Sequence, residues 1–457
     1  MNNNQLWSNK LTYILTVAGA TIGFGCTWRF PYLVGENGGG AYVLVFCLAM
    51  IALGIPMILV ENVIGRRAMR NSIDTFGVAK KDGTPVNPFW KIVGYLGLLG
   101  AFGILAYYMV LGGWVTSYIV NVLVGNFDLN SPITDKAYTE SFYTTHIENN
   151  PLMIGIYTFI FVFINWYILK KGIIDGIEKY VKFLMPFLFL CFATVIIGNM
   201  FLSGFSEGLN FYLGVDFSKI NAKLMINVLG QVFFALSLGF GVMITLSSYL
   251  SKDENLLQTA TITGVINTVI AVMAGFMIFP AIFTAGLSPD SGPSLVFITL
   301  PVAFSHIPFG GILAVVFFLI LLVAALTTSL SIYQVIIQVL EEKFKFSTTK
   351  ATTITLLVIF IFGNLPSVLA YGPLSDVIIL GRNIFDLFDT ISANIFFVIT
   401  AFLCCIYVGW VLKEDAIYEI SNHGKLKNPL IKVWYYYIKF ILPSIIFVIF
   451  IAGIRSI

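Results

Sequence analysis

Long apolar segments, separated by short polar connections, recur along the whole chain. A helix needs about 20 apolar residues to cross a bilayer. On that length the pattern predicts about eleven spans, near residues 11–35, 41–66, 92–124, 152–169, 178–201, 223–249, 257–285, 309–341, 349–366, 383–412 and 433–454. Only 11% of the residues are charged, against about 25% in soluble proteins. We therefore predict an all-α polytopic membrane protein with a single transmembrane domain over residues 1–457.

Basic residues concentrate on one side of these spans. The side that holds the N-terminus carries 20 of the 26 lysines and arginines, namely Lys10, Arg66, Arg67, Arg70, Lys80, Lys81, Lys91, Lys170, Lys171, Lys179, Lys182, Lys252, Lys343, Lys345, Lys350, Lys413, Lys425, Lys427, Lys432 and Lys439. Cytoplasmic loops carry the excess of Lys and Arg. We therefore expect a multi-pass protein of the plasma membrane with a cytoplasmic N-terminus.

Glycines interrupt the first span. Gly19, Gly23 and Gly25 lie near its centre, and Arg29 and Pro31 follow. Each glycine costs about 1 kcal/mol relative to alanine inside a helix, so we expect two half-helices that meet at unwound backbone. Such backbone is tolerated at membrane depth only where it faces protein or a water-lined cavity, which predicts a binding site. The alternative is a glycine-rich face for helix packing.

The sixth span repeats this interruption. Its centre, FFALSLGFGVMITLSSY, contains Gly239 and Gly241, and residues 238–241 (LGFG) nearly match residues 22–25 (IGFG). Two glycine-interrupted spans at corresponding positions of two halves indicate inverted repeats with a site at the membrane midplane. We expect a first repeat at about 11–201, a second at about 223–412 and an extra helix at about 433–454.

Broken helices offer unpaired backbone groups to a ligand. Carbonyls at the end of one half-helix attract cations, and N–H groups at the start of the next attract anions. A small zwitterion together with Na⁺ satisfies both, which indicates an amino acid and a coupling ion. In the eighth span, Ala324, Thr327 and Thr328 place one carbonyl and two hydroxyls on one helix face, and hard oxygen ligands suit an alkali cation. The alternative is that these hydroxyls bond to carbonyls of their own helix.

Charged side chains within spans are expensive and usually functional. Glu61 lies among apolar residues of the second span, where snorkelling to the cytoplasmic surface is the alternative. Arg29 and Asp389 fall near the external ends of their spans. They either pair across a vestibule or are simply solvated.

Several motifs together resemble those of the neurotransmitter:sodium symporters. GATIGFGCTWRFPYLVGENGGGAY resembles the family's first-span signature, GIPMILVENVIGR its second span, GQVFFALSLGFG its sixth and ALTTSLS its eighth. The match covers nearly the whole chain in the right order, and about eleven spans are similar to the shorter bacterial members. The bacterial leucine transporter, a standard example of inverted repeats, belongs to this family, so the symmetry expected above is not independent of the resemblance. The resemblance implies a core of five plus five helices with helices 1 and 6 broken.

The resemblance also implies a substrate site between spans 1, 3, 6 and 8. Its residues would be Ala20, Thr21, Gly25, Ile104, Tyr108, Phe234, Ala235, Ser237, Phe240, Thr328 and Ile332. The N–H of Gly25 and the hydroxyl of Tyr108 would hold a carboxylate. Where amine-transporting relatives have an aspartate, this chain has Gly23, which favours a substrate that brings its own carboxylate. The apolar lining favours a neutral, hydrophobic amino acid.

The resemblance further implies gates on both sides of this site. Phe240 and Tyr108 would form an aromatic lid, and Arg29 with Asp389 the outer ionic gate. The inner-gate positions are Trp7, Tyr249 and Glu342. Asn4 replaces the family's gate arginine opposite Glu342, which implies a weaker latch unless Lys10 takes its place.

Of two sodium sites implied by the resemblance, one is well kept. It comprises the carbonyls of Gly19, Ile22 and Ala324 and the hydroxyls of Thr327 and Thr328. The other, with Thr21, Ala235 and Asn267, is in doubt, because Cys26 replaces the usual asparagine and a thiol is a poor sodium ligand. We therefore expect at least one Na⁺. Chloride is not expected, because Phe46 and Ala271 leave Gln231 as the only clear polar group at that position.

These observations predict a sodium-coupled secondary active transporter that imports a neutral, hydrophobic amino acid by alternating access. The alternatives are a transporter of another carboxylated solute, such as a betaine or γ-amino acid, and a weakly coupled substrate-binding receptor or channel. An enzyme is not expected, because the spans contain no paired acids, metal-ligand cluster or nucleophile–base set. The expected partners are a small-molecule substrate and the lipid bilayer, not nucleic acid.

Overall fold

The computed structural model describes residues 6–129, 131–133, 135–289 and 294–455, and within these ranges its ordered elements are all helical. Nine helices there are long and apolar enough to cross a membrane, and a helix pair bent by 54° forms a tenth crossing. The bent pair is Lys10–Thr21 with Gly25–Glu36, and the nine are Gly40–Ala68, Pro88–Leu123, Pro151–Leu169, Ile173–Asn199, Leu256–Thr284, Gly310–Phe344, Thr348–Leu369, Ile384–Leu412 and Leu430–Ile454. The remaining predicted crossing, the sixth, consists of two shorter helices, Ala222–Ala235 and Val242–Ser247. Counting them as one interrupted span is consistent with eleven.

The first span breaks where its glycines predict. Its first half ends at Thr21, and the chain resumes as a wide helical turn from Gly25 to Arg29. Neighbouring side chains lie too close to Gly23 and Gly25 for a larger residue at either position. A Cβ on Gly23 would lie 2.3 Å from the Tyr108 hydroxyl, and one on Gly25 would lie 2.9 Å from the Phe234 ring. The interruption therefore brings bare backbone against the third and sixth spans.

The sixth span breaks over residues 236–241, between its two short helices. Ser237, Gly239 and Gly241 have φ values of 52°, 80° and 77°, a region that favours glycine. A Cβ on Gly239 would fall 2.2 Å from the carbonyl oxygen of Phe397. The N–H of Gly239 donates to Oε1 of Glu61 at 2.7 Å, so the fully buried Glu61 holds the unwound segment rather than reaching the surface.

The first half-helix packs against the eighth span. Gly19 permits this, because a Cβ there would lie 3.1 Å from Cβ of Thr327. The third and eighth spans also lie along each other, and they are the longest helices of the structure. At 36 and 35 residues, they exceed the roughly 20 residues that a bilayer requires. The two broken spans thus meet inside a frame of long, continuous helices.

Short helices cover the connections between spans. On the face opposite the N-terminus they are Lys136–Tyr143, Phe205–Leu213 and Leu300–Ser305, and on the N-terminal face the short helix is Glu414–Ile420. The N-terminal face also contains a buried ion pair, in which Nε of Arg66 donates to Oε1 of Glu419 at 2.7 Å. Nζ of Lys252 donates to the carbonyl oxygen of Arg66 at 2.5 Å. These contacts join the ends of the second and sixth spans to the helix after the tenth.

Candidate substrate and ion sites

The two breaks and the third and eighth spans enclose one narrow cavity. Its lining residues are Thr21, Gly23, Gly25, Ile104, Tyr108, Phe234, Ser237, Phe240, Thr328 and Ile332. Nine of the eleven substrate residues predicted from the sequence are among them. The other two, Ala20 and Ala235, lie next to it and present carbonyls that are already engaged, that of Ala20 by the hydroxyl of Ser237 at 3.1 Å and that of Ala235 by Asn267.

The first-span break supplies the polar end of the cavity. The N–H of Phe24 donates to the hydroxyl oxygen of Tyr108 at 3.2 Å. The N–H groups of Cys26 and Thr27 both point to the carbonyl oxygen of Gly23. The prediction named the N–H of Gly25 and the hydroxyl of Tyr108 as the carboxylate-binding pair, and the structure adds the N–H of Phe24 as a second backbone group beside that hydroxyl. A local pattern does not identify this N–H, because its partner lies 84 residues away.

Aromatic side chains line the apolar end. The ring of Phe240 stacks on that of Phe397 at a centroid distance of 3.5 Å, and Phe397 was not identified from the sequence. The ring of Phe24 lies 4.8 Å from that of Tyr108. A substrate side chain in this cavity would therefore meet mostly hydrocarbon and aromatic surface.

The predicted outer gate is not joined by a salt bridge in this structure. The guanidinium carbon of Arg29 lies 4.6 Å from the ring centroid of Phe234, a cation–π contact. Asp389 lies in the helix Ile384–Ile391, within electrostatic range of Arg29. Arg29 therefore covers the cavity wall formed by the sixth span.

The residues of the well-kept sodium site converge. The hydroxyl of Thr328 donates to the carbonyl oxygen of Gly19 at 3.0 Å, across the contact between the eighth and first spans. The hydroxyl of Thr327 donates within its own helix, to the carbonyls of Val323 and Ala324, both at 3.1 Å. Ile22 follows Gly19 by one turn, at the end of the first half-helix. Three carbonyls and two hydroxyls at one helix contact fit Na⁺, which prefers hard oxygen ligands.

The second sodium site has a different arrangement. Nδ2 of Asn267 donates to the carbonyl oxygens of Thr21 and Ala235, both at 3.1 Å, and contacts Sγ of Cys26 at 3.4 Å. Its Oδ1 has no hydrogen-bond partner among the described residues. An amide donor thus lies among the very acceptors that a cation would need, and one of them is a soft sulfur atom. The sulfur atom of Cys26 departs from the all-oxygen ligand set that Na⁺ prefers, and a second sodium ion is therefore not expected.

The remaining polar group near the family's chloride region is also engaged. Nε2 of Gln231 donates to the carbonyl oxygen of Gly25 at 2.6 Å. Phe46 packs on Phe30 at a centroid distance of 4.6 Å, and Ala271 is buried. That no chloride binds here remains a prediction.

The inner-gate residues Trp7 and Tyr249 are in contact. Nε1 of Trp7 donates to the carbonyl oxygen of Leu246 at 2.9 Å, and its ring meets that of Tyr249 edge-on at 6.3 Å. Glu342 accepts hydrogen bonds from the backbone N and from Nδ2 of Asn71, at 2.9 and 2.8 Å. Asn71 was not foreseen as its partner.

Two inner-gate expectations have separate outcomes. Asn4 lies outside the described residues, so its place opposite Glu342 stays a prediction. Lys10 does not substitute for the missing arginine in this structure, because its Nζ donates to Oε1 of Gln258 at 2.5 Å. Its position in the first turn of its helix directs it to the seventh span.

Two interrupted helices around one cavity, with an oxygen-lined cation site at its edge, define a transporter of the broken-helix class. The chain belongs to the sodium:neurotransmitter symporter family, whose model matches residues 4–151 and 149–457. It is therefore a sodium-dependent transporter and not an enzyme, as predicted.

Known relatives and structures agree with this assignment. The chain is 57% identical over 451 residues to an uncharacterized sodium-dependent transporter of Haemophilus influenzae, covering 98% of both chains. It is 33% identical over 453 residues to one of Bacillus subtilis, again covering 98% of both. The solved structure of MhsT in complex with L-phenylalanine is similar at 34% identity, with a TM-score of 0.86 over 98% of this chain and 99% of that one. This likeness confirms the predicted fold class.

Proposed function

We propose that this transporter imports a neutral, hydrophobic amino acid together with Na⁺ by alternating access. The observation that carries the proposal is the cavity between the two breaks. Backbone N–H groups and the Tyr108 hydroxyl lie at one end, and Ile104, Phe240 and Ile332 line the other. An α-carboxylate matches the first end, and an aliphatic or aromatic side chain matches the second.

Gly23 supports an amino acid over an amine. A side chain at this position would overlap the Tyr108 hydroxyl and the Thr328 hydroxyl, 2.3 and 2.7 Å from its Cβ. The chain therefore offers no carboxylate of its own to an amine, and the space beside Tyr108 belongs to the carboxylate of the substrate. The similar structure of MhsT holds L-phenylalanine, which agrees with a hydrophobic amino acid here.

Thr328 links the substrate cavity to the sodium site. It lines the cavity, and its hydroxyl contacts the Gly19 carbonyl. A bound Na⁺ would be held by the oxygen atoms of Gly19, Ile22 and Thr328 and would supply a positive charge between the two helices. The contact between Thr328 and Gly19 holds the first half-helix against the eighth span. The same half-helix ends at Thr21, which lines the substrate cavity.

The gates on each side of the cavity support alternating access. Trp7, Tyr249 and Glu342 form contacts on the N-terminal face, whereas Arg29 lies over Phe234 on the other side of the cavity. We place the N-terminal face in the cytoplasm on the distribution of basic residues. Two repeats, at about 11–201 and 223–412, would rock around the fixed site.

Uptake into proteoliposomes tests the proposal. Purified full-length protein should accumulate radiolabelled phenylalanine or leucine under an inward Na⁺ gradient, and should not accumulate them when K⁺ replaces Na⁺. A Tyr108→Phe variant should bind less amino acid, and Tyr95→Phe, which lies outside the cavity, should match the wild type.

Accumulation indifferent to both Na⁺ and membrane potential would contradict the proposal. Binding without accumulation would identify a receptor or channel instead, and preference for a betaine or γ-amino acid would change the substrate class.

A further inference from the structure

A large open groove lies on the N-terminal face, far from the substrate cavity. We call it the basic groove. It has a volume of about 940 Å³, and its lining residues are Lys80, Lys81, Asp82, Leu412, Lys413, Glu414, Asp415, Ile417, Tyr418, Ser421, Tyr435, Tyr436 and Lys439. The connection between the second and third spans, the end of the tenth and the start of the eleventh form its walls.

The balance of charge in the basic groove favours an anion. Four lysines face three carboxylates. One of these, Asp415, is already engaged by Nη2 of Arg67 at 3.3 Å and by the backbone N of Lys81 at 2.9 Å. Four lysines thus remain against Asp82 and Glu414, so the groove offers a net positive charge to a ligand.

Aromatic rings hold two of the lysines at the edge of the membrane-facing surface. Nζ of Lys81 lies 3.5 Å from the ring centroid of Tyr418, and Nζ of Lys439 lies 4.6 Å from that of Trp410. Trp410 is 47% exposed and Tyr436 is 59% exposed. Exposed aromatic residues at the end of a span are typical of the membrane–water interface. The groove therefore opens beside the surface that contacts lipid.

The backbone at the rim supports a function for Lys413. This residue ends the tenth span with φ 53° and ψ −116°, a conformation that glycine adopts readily and that is strained for other residues. A lysine here directs an ammonium group to the groove from a position where glycine would be the more stable choice. Strain of this kind clusters at ligand sites.

We propose that the basic groove binds the phosphate headgroup of an anionic phospholipid, such as phosphatidylglycerol, from the bilayer leaflet on the N-terminal side. The lysines pair with the phosphate, and the acyl chains lie along the exposed aromatic and aliphatic side chains of the eleventh span. Basic pockets between membrane helices on the cytoplasmic side recognise anionic headgroups in this way. The exposed apolar rim favours a lipid over a soluble anion, which would gain nothing from it.

Binding of short-chain lipids to purified, delipidated full-length protein tests this proposal. Dioctanoyl phosphatidylglycerol should bind at least about five times more tightly than dioctanoyl phosphatidylcholine, because each basic residue near an anionic surface contributes about 1 kcal/mol. A Lys413→Gln/Lys439→Gln variant should bind phosphatidylglycerol about 30-fold more weakly, because it removes two of these contributions. Lys343→Gln/Lys350→Gln, which changes two lysines on the same face outside the groove, should bind it like the wild type.

Three outcomes would overturn the proposal. They are unchanged affinity in the groove variant, equal affinity for the two lipids, and equally tight binding of glycerol 3-phosphate, which would identify a soluble-anion site. If the groove variant does not fold, Lys80→Gln/Lys81→Gln in the exposed connection provides the same test.

Discussion

The hydroxyl of Thr328 donates a hydrogen bond to the carbonyl oxygen of Gly19 at 3.0 Å, and the same side chain lines the substrate cavity. One residue of the eighth span therefore touches both the proposed sodium ligands and the proposed substrate. Any change in the first half-helix that moves Gly19 also changes the wall of the cavity. Through this shared residue, binding of a cation at the proposed sodium site would favour binding of an amino acid in the adjacent cavity, and the reverse.

Replacing Thr328 with valine should weaken sodium-dependent binding. The substitution keeps the side-chain shape and removes one oxygen ligand, and a hydrogen bond to a charged group contributes about 1.5–3 kcal/mol. The Na⁺ concentration for half-maximal amino-acid binding should rise by about tenfold or more. It can be measured by scintillation proximity with labelled amino acid. Thr328→Ser retains the hydroxyl and should stay near the wild type, and an unchanged Na⁺ requirement in the valine variant would remove Thr328 from the sodium site.

Sodium dependence should show a Hill coefficient near one. The amide nitrogen of Asn267 lies among the acceptors of the second ion site, and Cys26 contributes sulfur where oxygen is needed. Cys26→Asn would supply an oxygen and should raise the coefficient, whereas Cys26→Ala should leave it near one. Isothermal titration with Na⁺ at saturating amino acid gives the stoichiometry independently of transport. Two ions bound to the wild-type protein would contradict this prediction.

A methyl group at Gly23 should block the carboxylate end of the cavity. The added Cβ would lie 2.3 Å from the Tyr108 hydroxyl, so Tyr108 must move away from the substrate. We expect Gly23→Ala to reduce amino-acid affinity by about tenfold or more, since displaced or unsatisfied polar groups cost about 1–3 kcal/mol. Gly230→Ala is the matched control in the sixth span, because its Cβ would have no atom within 4 Å. Equal affinities for the two variants would show that Gly23 does not border the substrate.

Removing the charge of Glu419 should destabilise the protein without involving the substrate site. Arg66 is fully buried, and Glu419 is its ion-pair partner. Breaking a buried pair at one side costs about 3–5 kcal/mol, because the other charge is left uncompensated. The melting temperature of Glu419→Ala in detergent should therefore fall clearly. The exposed pair of Lys136 and Glu140, 3.7 Å apart, is the control, and Glu140→Gln should change stability by less than about 1 kcal/mol.

The sequence predicted the breaks well, since the glycines that cause them form a local pattern. Gly23, Gly25, Gly239 and Gly241 each allow a close approach or a positive φ value that other residues resist. Most of the cavity residues were implied by the family resemblance, whose motifs in the first, sixth and eighth spans lie on helices that meet there. The sequence left two alternatives for the eighth-span hydroxyls, a cation site or hydrogen bonds within their own helix. The structure shows one of each kind of contact, since Thr327 bonds within its helix and Thr328 bonds to the first span.

Partners that come from distant parts of the chain were not predicted. Glu61 binds a backbone N–H 178 residues away, and Asn71 binds Glu342 over 271 residues. No spacing rule connects such pairs, because they depend on how whole helices are arranged. Phe397 likewise becomes the stacking partner of Phe240 only once the tenth span lies against the sixth.

The carboxylate of Glu61 fastens the middle of the sixth-span interruption to the second span. A rotation of either half-helix about this break must therefore move the second span as well, or must first break the hydrogen bond between Glu61 and Gly239. While this hydrogen bond is intact, the second span and the two sixth-span half-helices move as one unit. Once it is broken, the half-helices can bend relative to each other.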